Sequence, residues 1–248
     1  MNILVCISQV PDTTTKVQVA SDGISIDRTG VKFILNPYDE FALEEGLQLR
    51  EKFGGTVTAL TVGGETFKEI LRTALAMGAD KAILIKDEHK NDSYSVAFQI
   101  SEIAKTMNPD VLMLGRQSID YDSFAMAPML AELLGLPSIS MVSSLTIDGN
   151  LITAERDIEG GKEVLESSLP CVISAQKGLN NPRYPKLPDI MKAKSKPIEE
   201  IPSLSTDARI STMAMQLPIS KRIGKVSGDS ESEISDIVLA LHEEAKVI

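Results

Sequence analysis

Short continuous apolar runs alternate with longer amphipathic segments through the first half of this chain. Residues 2–7, 82–85 and 111–114 are nearly all apolar, and 56–62 sets valine, alanine and leucine among three threonines. Runs of that length without alternation predict strands buried on both faces, as in a parallel sheet. Between them, apolar residues recur at helical spacing. From Phe41, the positions Phe41, Leu43, Leu47 and Phe53 interleave with Glu44, Glu45, Arg50 and Lys52, and Gly54-Gly55 ends the segment. Gly63-Gly64-Glu65-Thr66 opens a second helix carrying Phe67, Ile70, Leu71, Ala74, Leu75 and Met77, and Gly78 stops it. Residues 95–107 predict a third helix, closed by Asn108-Pro109. A fourth runs through Leu134 and closes at Gly135 and Pro137.

Strand–helix alternation of this kind predicts an α/β fold with a doubly wound, mainly parallel, Rossmann-like sheet. Ligands of such sheets bind at the carboxyl ends of strands, so the informative loops are 8–15, 36–39, 63–66 and 115–126. Residues 16–20 and 24–27 flank Ser21-Asp22-Gly23 and predict a hairpin. After Pro137 the pattern becomes strand-like at 139–147, 151–158 and 162–169, an added β-meander, and 170–173 reads as one more buried strand. From Lys177 the chain turns irregular and proline-rich. Residues 232–247 are amphipathic, with Ile234, Ile237, Val238, Leu241 and Ala245 on one stripe. The expected organisation is a nucleotide-binding α/β domain over 1–196 and, over 197–248, an arm whose terminal helix packs on a partner subunit.

Composition narrows the function. With 248 residues and 43% apolar content, the chain can bury a sizeable core. No apolar run reaches the ~18 residues that a membrane span needs. The N-terminus starts directly in a strand-like run, with no basic leader, so a cytoplasmic protein is expected. Net charge is −10 and aromatics are 4%, which argues against nucleic-acid binding. Anionic ligands can still be held by backbone N–H groups. Cys6 and Cys171 sit in apolar runs and read as buried thiols. The two histidines, His89 and His242, lie among charged residues, which disfavours histidine catalysis and a metal cluster.

Several motifs are missing. There is no Walker loop, no Gly-x-Gly-x-x-Gly after the first strand and no Gly-x-Ser-x-Gly. The strongest physical candidate is the loop Gly115-Arg116-Gln117-Ser118-Ile119-Asp120-Tyr121-Asp122-Ser123, which follows a buried strand and precedes a helix. Gly115 allows close approach to the backbone, and Gln117 offers a donor and an acceptor to a base. Asp122 or Ser123 is expected to cap the helix, leaving free N–H groups beyond for a phosphate. An ordinary strand–helix loop remains the alternative at this point.

Five stretches, in order, resemble the β subunit of electron-transfer flavoproteins. They are residues 36–45 (Asn-Pro-Tyr-Asp-Glu-Phe-Ala-Leu-Glu-Glu), 72–80, 115–120, 179–184 and 187–194. The resemblance implies a heterodimer with an α subunit that holds the redox-active FAD, and a structural AMP in this chain, replaced by a second FAD in electron-bifurcating relatives. It implies a carrier without turnover of its own. Its partners would be flavin dehydrogenases such as acyl-CoA dehydrogenases, and a quinone-linked oxidoreductase downstream.

By position, the resemblance assigns nucleotide binding to Cys6, to Asn36, Pro37, Tyr38 and Asp39, and to Val62 and Gly63. It adds the loop from Gly115 to Asp122 together with Ser123, Phe124, Ala125 and Met126. Leu179, Asn180, Pro182, Arg183 and Tyr184 match the partner-binding loop, in which an exposed leucine anchors dehydrogenases. Two departures stand out. Phe124, Ala125 and Met126 replace polar residues, so phosphate binding would rest on backbone N–H groups and Ser123. That loop, with Asp120-Tyr121-Asp122-Ser123, also departs from the Asp-Gly-Asp-Thr form of the bifurcating branch. Ser8 replaces a lysine after the first strand, removing one cation. A stand-alone nucleotide-binding regulator or adenylating enzyme of similar architecture is the reading from another class.

Overall fold

The four apolar runs become neighbouring strands of one sheet. A computed structural model describes residues 1–88, 92–204, 207–218, 224 and 226–248; His89 lies outside the described residues. In chain order come β1 (Asn2–Cys6), β2 (Gln9–Pro11), β3 (Phe33–Leu35), α1 (Pro37–Phe53) and β4 (Thr56–Gly63). A 3-10 turn (Glu65–Phe67) leads into α2 (Lys68–Met77). Then follow β5 (Lys81–Lys86), α3 (Ser93–Met107), β6 (Val111–Gly115) and α4 (Met126–Leu134). β7 (Ser138–Asp148), β8 (Leu151–Ile158) and β9 (Gly161–Ser168) precede β10 (Cys171–Ala175), α5 (Leu187–Ser195), β11 (Glu199–Pro202) and α6 (Glu231–Leu239).

Nine strands form one sheet in the order β11-β5-β4-β1-β6-β10-β7-β8-β9. Every pair from β11 to β7 is parallel, and β7-β8-β9 is an antiparallel meander. The sheet separates two apolar layers. Ile3 and Val5 pack with Leu43, Leu47 and Leu71 on one face, while Leu4 and Leu60 pack with Ile100 and Leu130 on the other. Alternate side chains of one strand thus serve opposite faces, which is why β6 and β1 after Asn2 carry no polar side chains. β1 lies at the centre of the seven-strand parallel part, and its carboxyl end lies beside those of β4 and β6.

The hairpin turn expected within residues 16–27 is present, though its arms are too short to be regular strands: the Asp27 N–H donates to the Gln18 carbonyl and the Ala20 N–H to the Ser25 carbonyl, both at 2.8 Å. Its arms hold a single antiparallel bridge, Val19 to Ile26, and the Asp22 carboxylate takes the N–H groups of Ile24 and Ser25 and satisfies the turn locally. The strands of this region are instead β2 and β3, a small antiparallel pair. α4 begins at Met126, not near Asp122. Asp122 and Phe124 have φ of +50° and +53°, which no helix accommodates. Ala125 stands at the N-cap without a side-chain bond.

Past residue 177 the chain is not irregular throughout. α5 packs against α2, where Arg72 donates to the carbonyls of Ala193 (2.6 Å) and Lys196, and β11 extends the sheet beside β5. α5 escaped notice because its first turn contains Pro188, which a helix tolerates at its start.

The terminal segment is helical, as its stripe predicts. Ser230 and Glu233 form a reciprocal cap at the start of α6, and a π-helical turn (Ala240–Glu244) follows. Neither element buries a residue, and Ile234, Val238 and Leu239 are exposed. Residues 209 and 210 do touch the domain, through N–H groups that Asp92 accepts. No helix among the described residues is long and apolar enough to cross a membrane.

Candidate nucleotide site

Three segments meet at the carboxyl edge of the sheet: the end of β1, the first turn of α1 and the loop after β6. Asp39 joins them. One carboxylate oxygen accepts from the Ser8 N–H (2.8 Å) and hydroxyl (2.6 Å), and the other from the Gly115 N–H (2.8 Å). Gly115 is required here by space. A Cβ on it would lie 2.5 Å from Asp39 Oδ1 and 2.6 Å from the backbone carbon of Tyr38. Ser8, read from sequence as a lost cation, thus has a positive role, supplying two donors to a buried carboxylate.

Burial pushes Asp39 up to about 6, against the pull of its Ser8, Gly115 and Asn36 hydrogen bonds. Burial, then the Asp39 charge, also raises the Cys6 thiol, which keeps it protonated and unreactive. Glu40 is raised by burial and by Asp39. The stability consequence follows from the sign. Folded Asp39 holds its proton more tightly than the unfolded chain, so its contribution is fully present below about pH 4. That contribution is lost as pH rises to about 6, by up to roughly 3 kcal/mol. Urea titrations of the native protein and Asp39→Asn between those limits should show the difference moving in the variant's favour as pH rises. Parallel curves would refute the assignment.

Asn36 and Gln117 bring α1 and the β6 loop together. Asn36 Nδ2 donates to the Gln117 carbonyl at 2.9 Å, and the Gln117 side chain donates to the Asp122 carboxylate. The Asn36 side chain is therefore not spent on the cap of α1. Asn36 Oδ1, Gln117 Oε1 and Arg116 Nε are buried with no partner. The Arg116 guanidinium lies over the Tyr38 ring (4.7 Å) and the Phe124 ring (5.0 Å). At the start of α4 the first helical bond runs from Met129 N to Ala125 O. The amides of Met126 and Ala127 precede it, and Pro128 has no N–H to satisfy. Those two amides, with no cap from Asp122 or Ser123, are what the helix end can offer an anion.

The remaining assigned residues sit around this centre. Val62 and Gly63 end β4 on the same edge, beside β1. Gln9 Nε2 bonds the Thr66 carbonyl at 3.0 Å, tying the loops after β1 and β4. Pro37 and Tyr38 form the first turn of α1. Ser118 accepts from the Asp122 N–H through its carbonyl, at 3.0 Å. Ile119 and Ala125 are half-buried, whereas Asp120, Tyr121 and Ser123 are exposed.

The 179–184 segment lies elsewhere, along the later turns of α1. Leu179 is half-buried and packs on the core, so the expected exposed leucine is corrected. The exposed apolar side chains nearby are Tyr184, Leu187 and Met191. Asn180 donates to the Phe41 carbonyl and to Glu45, both at 3.0 Å. Arg183 donates to both oxygens of Glu44 (2.8 and 2.9 Å) and to Glu51 (2.6 Å). Burial pushes Glu44 up, but the Arg183 and Gln48 bonds outweigh it and hold Glu44 below the usual range. Burial raises Glu45. In the sequence these two glutamates are only polar positions interleaved with the apolar ones of α1. Their partners lie far away in the chain, so no local pattern could reveal them.

The electron transfer flavoprotein domain family model matches residues 23–205. The chain is 42% identical to the electron transfer flavoprotein subunit beta of Bacillus subtilis over 259 residues, covering 100% of both chains. It is 35% identical to that of Syntrophomonas wolfei over 241 residues, covering 97% of this chain and 94% of the other. A mitochondrial subunit beta of Arabidopsis thaliana is 35% identical over 251 residues, again covering 100% of both.

Proposed function

The chain belongs to the electron transfer flavoprotein β-subunit family, and from that premise we propose that it is the AMP-holding half of a heterodimeric electron carrier with no turnover of its own. The observation that supports a nucleotide is the set of unpartnered polar groups gathered at the carboxyl edge. There, buried Asn36 Oδ1 and Gln117 Oε1 await donors, and the first amides of α4 are open. A base with its phosphate supplies donors and an anion to that set.

In this proposal the α subunit holds the flavin, which supplies the redox chemistry when bound. The residues of this chain position it. The sheet edge forms one wall of the interface, α6 and the segment after β11 dock on the α subunit, and the 179–184 segment receives flavin dehydrogenases such as acyl-CoA dehydrogenases. Electrons would then pass to a quinone-linked oxidoreductase. The apolar stripe of α6, left uncovered by its own domain, supports the docking of the arm.

Co-expression with the α subunit, followed by acid extraction and absorbance of the released ligands, tests this. One FAD and one AMP per heterodimer is the expected result. Two flavins would replace the proposal with a bifurcating carrier. A chain that folds alone and turns over a nucleotide would replace it with a stand-alone enzyme.

A further inference from the structure

We propose that the Asp92 carboxylate clamps the arm in the course from which it docks on the α subunit, an inference that rests on the heterodimer proposed above. Asp92 stands at the N-cap of α3 and serves two segments at once. Its Oδ1 accepts from the Ser95 N–H at 2.8 Å, which caps the helix. Its Oδ2 accepts from the Arg209 and Ile210 N–H groups at 2.7 and 2.9 Å, 117 and 118 residues further along the chain. The Arg209 guanidinium lies over the Tyr94 ring at 3.7 Å, and that ring stacks on Phe98 one turn on. A second tie follows at Met215, whose N–H donates to the Gly23 carbonyl at 2.7 Å. These ties are made by the backbone and by one cation. The apolar side chains take no part in them: Ile210 is 77% exposed and Met213 is 86% exposed.

Burial is what ordinarily offsets the entropy lost in ordering a segment. From 207 to 218 every residue is exposed except half-buried Met215, so the arm's own domain supplies little of that burial. The composition points to where it comes from. Asp207 and Arg209 are the only charged residues between 207 and 218, in a chain that is 24% charged. Few charges with exposed isoleucine and methionine is the make-up of an interface core. The same arm ends in α6, where Ile234, Val238 and Leu239 are also exposed. Both apolar surfaces therefore belong to one arm, and the α subunit is the occupant that covers them together. Fixing the backbone beforehand lowers the ordering cost of that docking. Asp92 is thus a positioning residue for assembly as well as a helix cap.

Asp92→Asn separates the two roles. Asparagine caps a helix about as well as aspartate, so its one oxygen can keep the Ser95 bond. Its amide group then faces the Arg209 and Ile210 N–H groups and cannot accept them. Dilution of the heterodimer, with a fluorescent label on the α subunit, gives its dissociation constant, and hydrogen exchange reports the amides of 209 and 210. The variant should lose protection at those two amides, keep that of α3, and dissociate at about 10-fold higher concentration. Ile210→Ser combined with Met213→Ser, which leaves the clamp intact, should weaken the heterodimer by about 10- to 100-fold. Unchanged affinity in Asp92→Asn, or in the double variant, overturns the inference while the carrier reading stands. So does a native chain that uses this surface to pair with a second copy of itself. A native chain that forms no heterodimer overturns both.

Discussion

Gly115→Ala is expected to strip the nucleotide from the heterodimer and to lower its stability by about 1–3 kcal/mol or more, the range for forcing atoms into a filled interior. The new methyl would sit 2.5 Å from an oxygen of Asp39 and 2.6 Å from the main chain of Tyr38. The second contact decides the size of the effect. A flexible side-chain end can move aside, but the Tyr38 backbone belongs to the first turn of α1, and α1 is packed on β1 through Leu43 and Leu47. Relief would require α1 to retreat from β6, breaking the Gly115–Asp39 bond and parting Asn36 from Gln117. Gly161→Ala serves as the control, because its Cβ would meet nothing within 4 Å. Thermal unfolding and extracted nucleotide should both fall for the first variant and neither for the second. Equal behaviour of the two would mean that the junction is not close-packed.

How far the cleft could be foreseen depends on the range of each interaction. Buried strands and amphipathic helices are written in local periodicity, and β1, β4, β5 and β6 follow it within a residue or two. Gly115 was legible too, since a glycine at a strand end signals close approach. The start of α4 was not. Asp122 and Ser123 have the right chemistry for a cap, but positive φ at Asp122 and Phe124 pushes the helix three residues on. That conformation comes from contacts across the loop, Gln117 to Asp122 and Arg116 to Phe124, and not from propensity. β2, β3 and β11 are three or four residues each, too short to show a period. The exposure expected of Leu179 came from the family resemblance alone, and its neighbours Asn180 and Arg183 are held by Glu44, Glu45 and Glu51 of α1.

Arg183→Met should cost about 2–3 kcal/mol at neutral pH, and the loss should shrink on acidification. The Glu44 side chain is only 4% exposed, against 36% for Arg183. Removing one member of a buried pair costs about 3–5 kcal/mol, and the partial exposure of Arg183 places this pair lower. In the native protein Glu44 titrates below its ordinary value. Its contribution is therefore present above about pH 4.5 and lost as pH falls through the folded value. Without Arg183, burial dominates and the sign reverses: folded Glu44 then binds its proton more tightly than the unfolded chain does, so lowering the pH stabilises the variant relative to the native protein. Urea midpoints at neutral and acid pH measure the crossover, and a constant gap would refute it. Arg183→Met combined with Glu44→Gln should recover much of the neutral-pH loss, because the unpaired charge itself is gone. Electron transfer from a dehydrogenase to the same double variant separates two roles. If stability returns while transfer stays low, the Arg183 bonds to α1 shape the 179–184 segment for its partner; if both return together, they serve the fold alone.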